Sequence, residues 1–443
     1  MAMRTRTLLW AALMCFSSVF SVRAEQADRY IASLINSGDW LSLREALPQY
    51  RDSIQTPYLR LTADAMLAAH TNRPEDAIRA LDELLGGYQE EIGSQAALDF
   101  ALLRLYLTGM QGRYAEAADG MQRIINRLET AGFTETETLQ AMYARYDALR
   151  SVAPPAVIRS GGSDSVPFRL IGPEVTRREE WMHSDSKAYT GNLISVPVRI
   201  HGIEQPFIFD TGAGATFLFE GTARRLGLTI LPDTVTINGT QKGMRAVIDS
   251  LQIGGITCRN IIAYVGFPDA IDTLMNGMDA ILGMDVIAGI GETQIRMDRQ
   301  QLFFPAHPSA LPEGAVPNMV LDGSLLLRAE QDGKPLMFHL DTGCSTAELY
   351  SDYYRMFAGE ADRTAVRDTV TMLTYGEVTN AEVLLLPELR FSVSGTPVRM
   401  EDVYLYPSSG SYLHQHDGRL GMDFLRRFNC VTLNMKQMFL NLR

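Results

Sequence analysis

The chain has 443 residues, 46% of them apolar and 21% charged, a composition that fills globular cores and excludes collagen-like, low-complexity and disulfide-scaffold classes. Lys plus Arg number 40 against 52 Asp plus Glu, a net charge of −12 with no basic run, which argues against a nucleic-acid binder. At about 100–200 residues per domain, the length predicts two to four domains.

Residues 1–24 begin with Arg4 and Arg6, run through a mostly apolar stretch from Leu8 to Val22, and end Val22-Arg23-Ala24 with small residues at the cleavage positions. This three-part pattern is that of a secretory signal peptide. The protein is therefore expected to be exported and, after cleavage, periplasmic or secreted. No later segment reaches 18 consecutive apolar residues, so no transmembrane segment is expected in the mature chain. Three cysteines remain, Cys258, Cys344 and Cys430, and their odd number leaves at least one free thiol.

Residues 25–152 are rich in Ala, Leu, Arg and Glu, with apolar positions three and four apart, and are expected to form amphipathic helices. GDWLSLREAL from Gly38, NRPEDAIRAL from Asn72 and GRYAEAADGM from Gly112 share one pattern: a turn residue, two more positions, then a helix. Helix-turn-helix units at this spacing resemble tetratricopeptide repeats, and a concave helical surface of that kind implies a protein or peptide partner. A plain helical bundle is the alternative. APPAVIRSGGSDSV, residues 153–166, breaks the helical pattern with two Pro and a Gly-Gly and is expected to be a linker. Beyond it Val, Ile, Thr and Phe alternate and Gly punctuates the chain, as in strands joined by hairpins.

This β-rich region repeats itself. FIFDTGAGATFL (207–218) is matched by FHLDTGCSTAEL (338–349), with Gly202 and Gly333 each eight residues before the Asp. DAILGMDVI (279–287) is matched by DGRLGMDFL (417–425), and each is followed by a hairpin-like tail, 293–304 and 430–442. One Asp-Thr-Gly is expected by chance about 0.1 times in a chain of this length, so two with shared flanks form a strong signal. The lobes are expected to span 167–310 and 311–443.

Over about 190–443 the pattern resembles the retropepsin-like and pepsin-like aspartic proteases, and the whole chain is similar to exported bacterial aspartyl protease family proteins. The resemblance implies a bilobal acid-protease β-barrel fold following the α-helical domain. It implies an aspartic endopeptidase in which Asp210 and Asp341 share one proton and activate water against a peptide bond. Thr211, Gly212, Thr342 and Gly343 would support the two loops. Peptide or protein is the implied substrate, and no metal or cofactor is needed. Two copies in one chain predict a monomer. Flaps are expected in hairpins over 234–243 and 369–378, with Gly239, Tyr375 and Gly376 as candidates. The His414-Gln415-His416 run lacks ligands at matching spacing and reads as a loop. Asp285 and Asp423, in the repeated Leu-Gly-Met-Asp, are expected to make structural hydrogen bonds.

The sequence also departs from the family pattern. The third residue after each Asp is Ala213 or Cys344, not a hydroxyl donor, which predicts raised pKa values for the pair and activity above the strongly acid range. Gly214 replaces a polar residue, His339 stands where Ile208 stands in the first copy, and Arg419 replaces an apolar residue. These departures keep open a second reading, a non-catalytic peptide-binding or scaffold protein with a degenerate protease fold.

Overall fold

The computed structural model describes residues 22–172, 193–237, 241–266, 280–374, 377–408 and 416–443. The expected signal peptide lies outside them except for its last three residues, which open the first helix. The chain divides into two compact units, Met1–Pro155 and Ala156–Arg443.

The first unit contains seven helices among its described residues: α1 (Val22–Ser37), α2 (Trp40–Tyr50), α3 (Pro57–His70), α4 (Pro74–Gly87), α5 (Gln89–Met110), α6 (Tyr114–Thr130) and α7 (Glu137–Asp147). The three turn residues read from the sequence, Gly38, Asn72 and Gly112, have φ of +67°, +56° and +72°. Each follows the end of one helix and precedes the next by two residues, closing α1–α2, α3–α4 and α5–α6. The left-handed turn lets the amides after the helix reach back to its last carbonyls, as where Gly38 N donates to Ile35 O and Asp39 N to Leu34 O. Small residues bring the helices close: a side chain at Gly120 would collide with Leu105. No helix among the described residues is long and apolar enough to cross a membrane.

The second unit is β-rich. Its first sheet gathers strands from 156 to 282, and its third gathers strands from 319 to 420. A separate five-stranded sheet is made of Asp164–Pro167, Gln301–Phe304, Glu292–Arg296, Cys430–Asn434 and Phe439–Leu442, in that order. Here the two repeated tails, each a hairpin, pair with one another, Glu292 opposite Asn434 and Arg296 opposite Cys430. The repeated Gly202 and Gly333 sit in two-residue hairpin turns, His201-Gly202 and Asp332-Gly333, with positive φ at all four positions. That is the geometry favoured by the right-handed twist of the flanking strands.

The expected linker is corrected by the structure. Residues Ala156–Arg159 pair with Ile256–Gly266, and Asp164–Pro167 pair with Gln301–Phe304. The Gly161-Gly162 pair, φ +86° and +77°, lies between these two strands. Pro and Gly do end the helical pattern here, but the strands are specified by partners about 100 or more residues away, which local composition cannot reveal.

Candidate active site

Each Asp-Thr-Gly loop follows an apolar strand. Phe207 and Phe209 in one copy, and Phe338 and Leu340 in the other, are fully buried and anchor their strands in the core. Because side chains alternate along a strand, Ile208 and Asp210, and likewise His339 and Asp341, face the other side. The Leu-Gly segments run parallel beside them, Leu282 opposite Phe209 and Leu420 opposite Leu340. Their carbonyls accept from the backbone of the two acids: Asp210 N donates to Leu282 O at 3.1 Å and Asp341 N to Leu420 O at 3.0 Å. Gly283 and Gly421 are required for this approach, since a Cβ at either would collide with the backbone of the opposing loop.

The two loops grip one another with near two-fold symmetry. Thr211 Oγ1 donates to Leu340 O at 2.7 Å, and Thr342 Oγ1 donates to Phe209 O at 2.6 Å. In return Thr211 N donates to Thr342 Oγ1 at 2.9 Å, and Thr342 N to Thr211 Oγ1 at 3.1 Å. Both threonines are buried, so each hydroxyl is fully engaged as donor and acceptor.

This grip brings Asp210 and Asp341 together. A Cβ at Gly212 would collide with the Asp341 carboxylate and one at Gly343 with that of Asp210, so each glycine makes room for the opposite acid. The two carboxyls are near enough for the charge of Asp341 to bear on Asp210. Gly212 N and Ala213 N donate to Asp210 Oδ1 at 2.8 and 3.1 Å, while Gly343 N donates to Asp341 Oδ1 at 2.9 Å. Burial pushes the Asp210 carboxyl up to about 7; the charge of Asp341 adds to the push and the two amides oppose it. A proton is thus held in the site near neutral pH, the direction expected from Ala213 and Cys344.

The other residues singled out in the sequence find distinct places. Asp285 Oδ1 accepts from Thr216 N, Thr216 Oγ1 and Val286 N, and Asp423 accepts from Ala347 N and Phe424 N. Both therefore tie the Leu-Gly segment to the loop it crosses. The Cys344 Sγ donates to Thr346 O at 3.3 Å, and burial pushes its thiol up to about 12, so it does not supply a thiolate. All three cysteines of the second unit are free. Both expected flap hairpins are present, Val235–Ile237 with Gln241–Ile253 and Val366–Thr374 with Glu377–Val393. Gly239, Tyr375 and Gly376, and with them His414 and Gln415, lie outside the described residues.

Arg419 carries more than the sequence reading gave it. Its Nη1 lies 3.4 Å from Asp341 Oδ2, and its Nη2 donates to Glu348 Oε2 at 2.7 Å. Glu348 was not singled out at all. The only hint of it was Arg419 itself, a cation in a segment otherwise apolar.

Residues 196–286, about a fifth of the chain, match the family model described as aspartyl protease, a stretch that holds Asp210-Thr211-Gly212 and Ile281-Leu282-Gly283. Among solved structures, a retropepsin-like aspartic protease from Rickettsia conorii is similar at 18% identity, covering 33% of this chain and 95% of that one with a TM-score of 0.22. No curated protein matches the chain. The first copy of the repeat is thus similar, over residues 196–286, to the aspartyl protease family model.

Proposed function

We propose that the β-rich unit is an aspartic endopeptidase whose acid pair is Asp210 and Asp341. The observation that carries this reading is the reciprocal grip of Thr211 and Thr342, which sets each carboxyl against the glycine of the opposite loop across an internal pseudo-two-fold axis. Two acids so close do not both ionise readily, so one proton is shared and belongs to the pair. The ionised carboxylate takes a proton from water as the water attacks the scissile carbonyl, and the protonated carboxyl donates to the carbonyl oxygen. The gem-diol then collapses: the C–N bond breaks, the amine takes a proton, and the pair is left with one proton again. No covalent bond to the enzyme forms in this sequence.

Polypeptide is the substrate, and the chain acts as a monomer because both acids come from it. It is exported, with residues 1–24 as a removable signal. The helical unit, with its three like-built turns, is a tetratricopeptide-like platform for a protein or peptide partner. A non-catalytic, peptide-binding role draws its support from Arg419, whose ion pair with Asp341 occupies one oxygen of the pair. One assay decides between the two. The wild type should cleave a mixed peptide library at some pH between 3 and 8, and Asp210→Asn or Asp341→Asn should each abolish cleavage. A wild type that cleaves nothing across that range overturns the enzymatic reading.

A further inference from the structure

The two copies of the repeat differ most in one row of side chains. In the first copy Ile208, Ile281, Phe217 and Tyr264 lie side by side across four adjacent strands. In the second copy the same row reads His339, Arg419, Glu348 and Tyr404. This is the face that carries Asp210 and Asp341, because Phe338 and Leu340 on the same strand point into the core. An apolar row behind one acid is thus matched by a charged row behind the other.

The charges are few and arranged in order. Arg419 touches Asp341 Oδ2 with one nitrogen and Glu348 with another, and its side chain is 26% exposed against 10% for Asp341 and 13% for Glu348. The other titratable groups facing this cluster are Asp210 from the first lobe, and His339, Cys344, Tyr350, Tyr404, Tyr406 and His416 from the second. Burial pushes His339 down, opposed by the charge of Asp341 and helped by that of Arg419, which disfavours its cationic form; burial pushes Cys344, Tyr350 and Tyr406 up, so they are neutral. Arg419 is therefore the cation of the cluster, and Glu348 with the acid pair supplies its anions. Asp210 has one backbone amide more than Asp341, but a full positive charge outweighs one neutral donor.

We propose that Arg419 is a positioning residue that makes the two acids unequal, fixing the negative charge on Asp341 and leaving the shared proton on Asp210, with Glu348 tempering its pull. The proposal rests on the aspartic peptidase reading and deepens it. Asp341 then takes the proton from water and Asp210 gives its proton to the carbonyl oxygen; as the C–N bond breaks, Asp341 passes its proton to the departing amine and Asp210 takes a hydroxyl proton back from the diol. The apolar surroundings of Asp210 suit the neutral acid, and the Arg419 guanidinium suits the anion.

The test compares pH profiles of kcat/KM with carboxyl NMR titrations of protein labelled with 13C at Asp. Arg419→Gln should move both limbs of the profile to higher pH by about one pH unit, since an opposite charge at this range favours ionisation by that order. Glu348→Gln should move them to lower pH, because Arg419 is then left to Asp341 alone. Arg419→Lys should restore a profile near that of wild type. In the NMR titration, the resonance lost in Asp341→Asn should be that of a carboxylate where the one lost in Asp210→Asn is still protonated. Glu348→Gln keeps the test decisive if Arg419→Gln does not fold. Shifts of the same sign in both variants, or no shift, in an enzyme that cleaves would overturn the inference and leave the peptidase reading intact. Opposite NMR shifts in a protein that cleaves nothing would uphold the charge assignment and sink the peptidase reading instead.

Discussion

Thr342→Val keeps the shape of a buried side chain while deleting its hydroxyl. Two groups would then be stranded: Phe209 O loses a donor at 2.6 Å, and Thr211 N loses an acceptor at 2.9 Å. Neither has access to water, because Phe209, Thr211 and Thr342 are at most 1% exposed. An unsatisfied buried polar group costs about 1–3 kcal/mol, so two of them, less the small gain from a methyl group, should cost about 3 kcal/mol. For a unit of this size that is a fall in melting temperature of about 5 °C. Calorimetry of the full chain is the suitable assay, because two compact units are expected to give separate transitions and only that of 156–443 should move. Thr342→Ser retains the hydroxyl and should lose less than half as much. Activity should fall further than stability in the valine variant, since the loops that carry Asp210 and Asp341 are no longer held in register. A melting temperature within about 1 °C of wild type, together with unchanged kcat, would refute the claim that these bonds hold the acids together.

Gly343→Ala should leave the fold in place but drive the Asp210 carboxyl aside, lowering kcat by about 100-fold or more with little change in the melt. Burial pushes Asp417 up to about 6, and Asp210 is held near 7. For acids raised in this way, stability is fully present below their unfolded values and is lost as pH rises through the folded ones. The second transition should therefore fall between about pH 4 and pH 7. Asp417→Asn should flatten that fall by about 3 kcal/mol while keeping the oxygen that accepts from Met337 N, as melts in a pH series would show. Gly112→Ala should lower the first transition alone, because φ there is +72° and a Cβ would strike Pro154 and Pro155. Cleavage of a short peptide should be unchanged in that variant, and a parallel loss of activity would tie the helical unit to catalysis.

The acid pair was legible because its signals are local and repeated. A buried strand, a Thr able to reach across and a Gly that admits the opposite acid all lie within six residues, twice over. The turns at Gly38, Asn72 and Gly112, and at Gly202 and Gly333, were legible for the same reason. What stayed hidden depends on pairing between distant strands. Arg159 and Val166 sit in a stretch whose Pro and Gly suggested a linker, and only their partners Ile256 and Leu302 make them strand residues. Glu348 becomes a neighbour of Arg419 only when their strands align, 71 residues apart in the chain. Arg419 was visible as a departure from an apolar pattern, but the direction of its side chain, and so its bearing on Asp341, needed the fold.

The sheet that zips the two tails together orders events in time as well as space. Both acids are already in the chain by residue 341, yet the strand Cys430–Asn434, which pairs with Glu292–Arg296 of the first copy, comes almost a hundred residues later. A nascent or truncated chain that stops before Cys430 therefore carries both aspartates and both gripping threonines but lacks the sheet that joins its two tails. Long-range pairing of this kind forms late. The arrangement makes completion of the polypeptide itself a check on when its two aspartates can work as one.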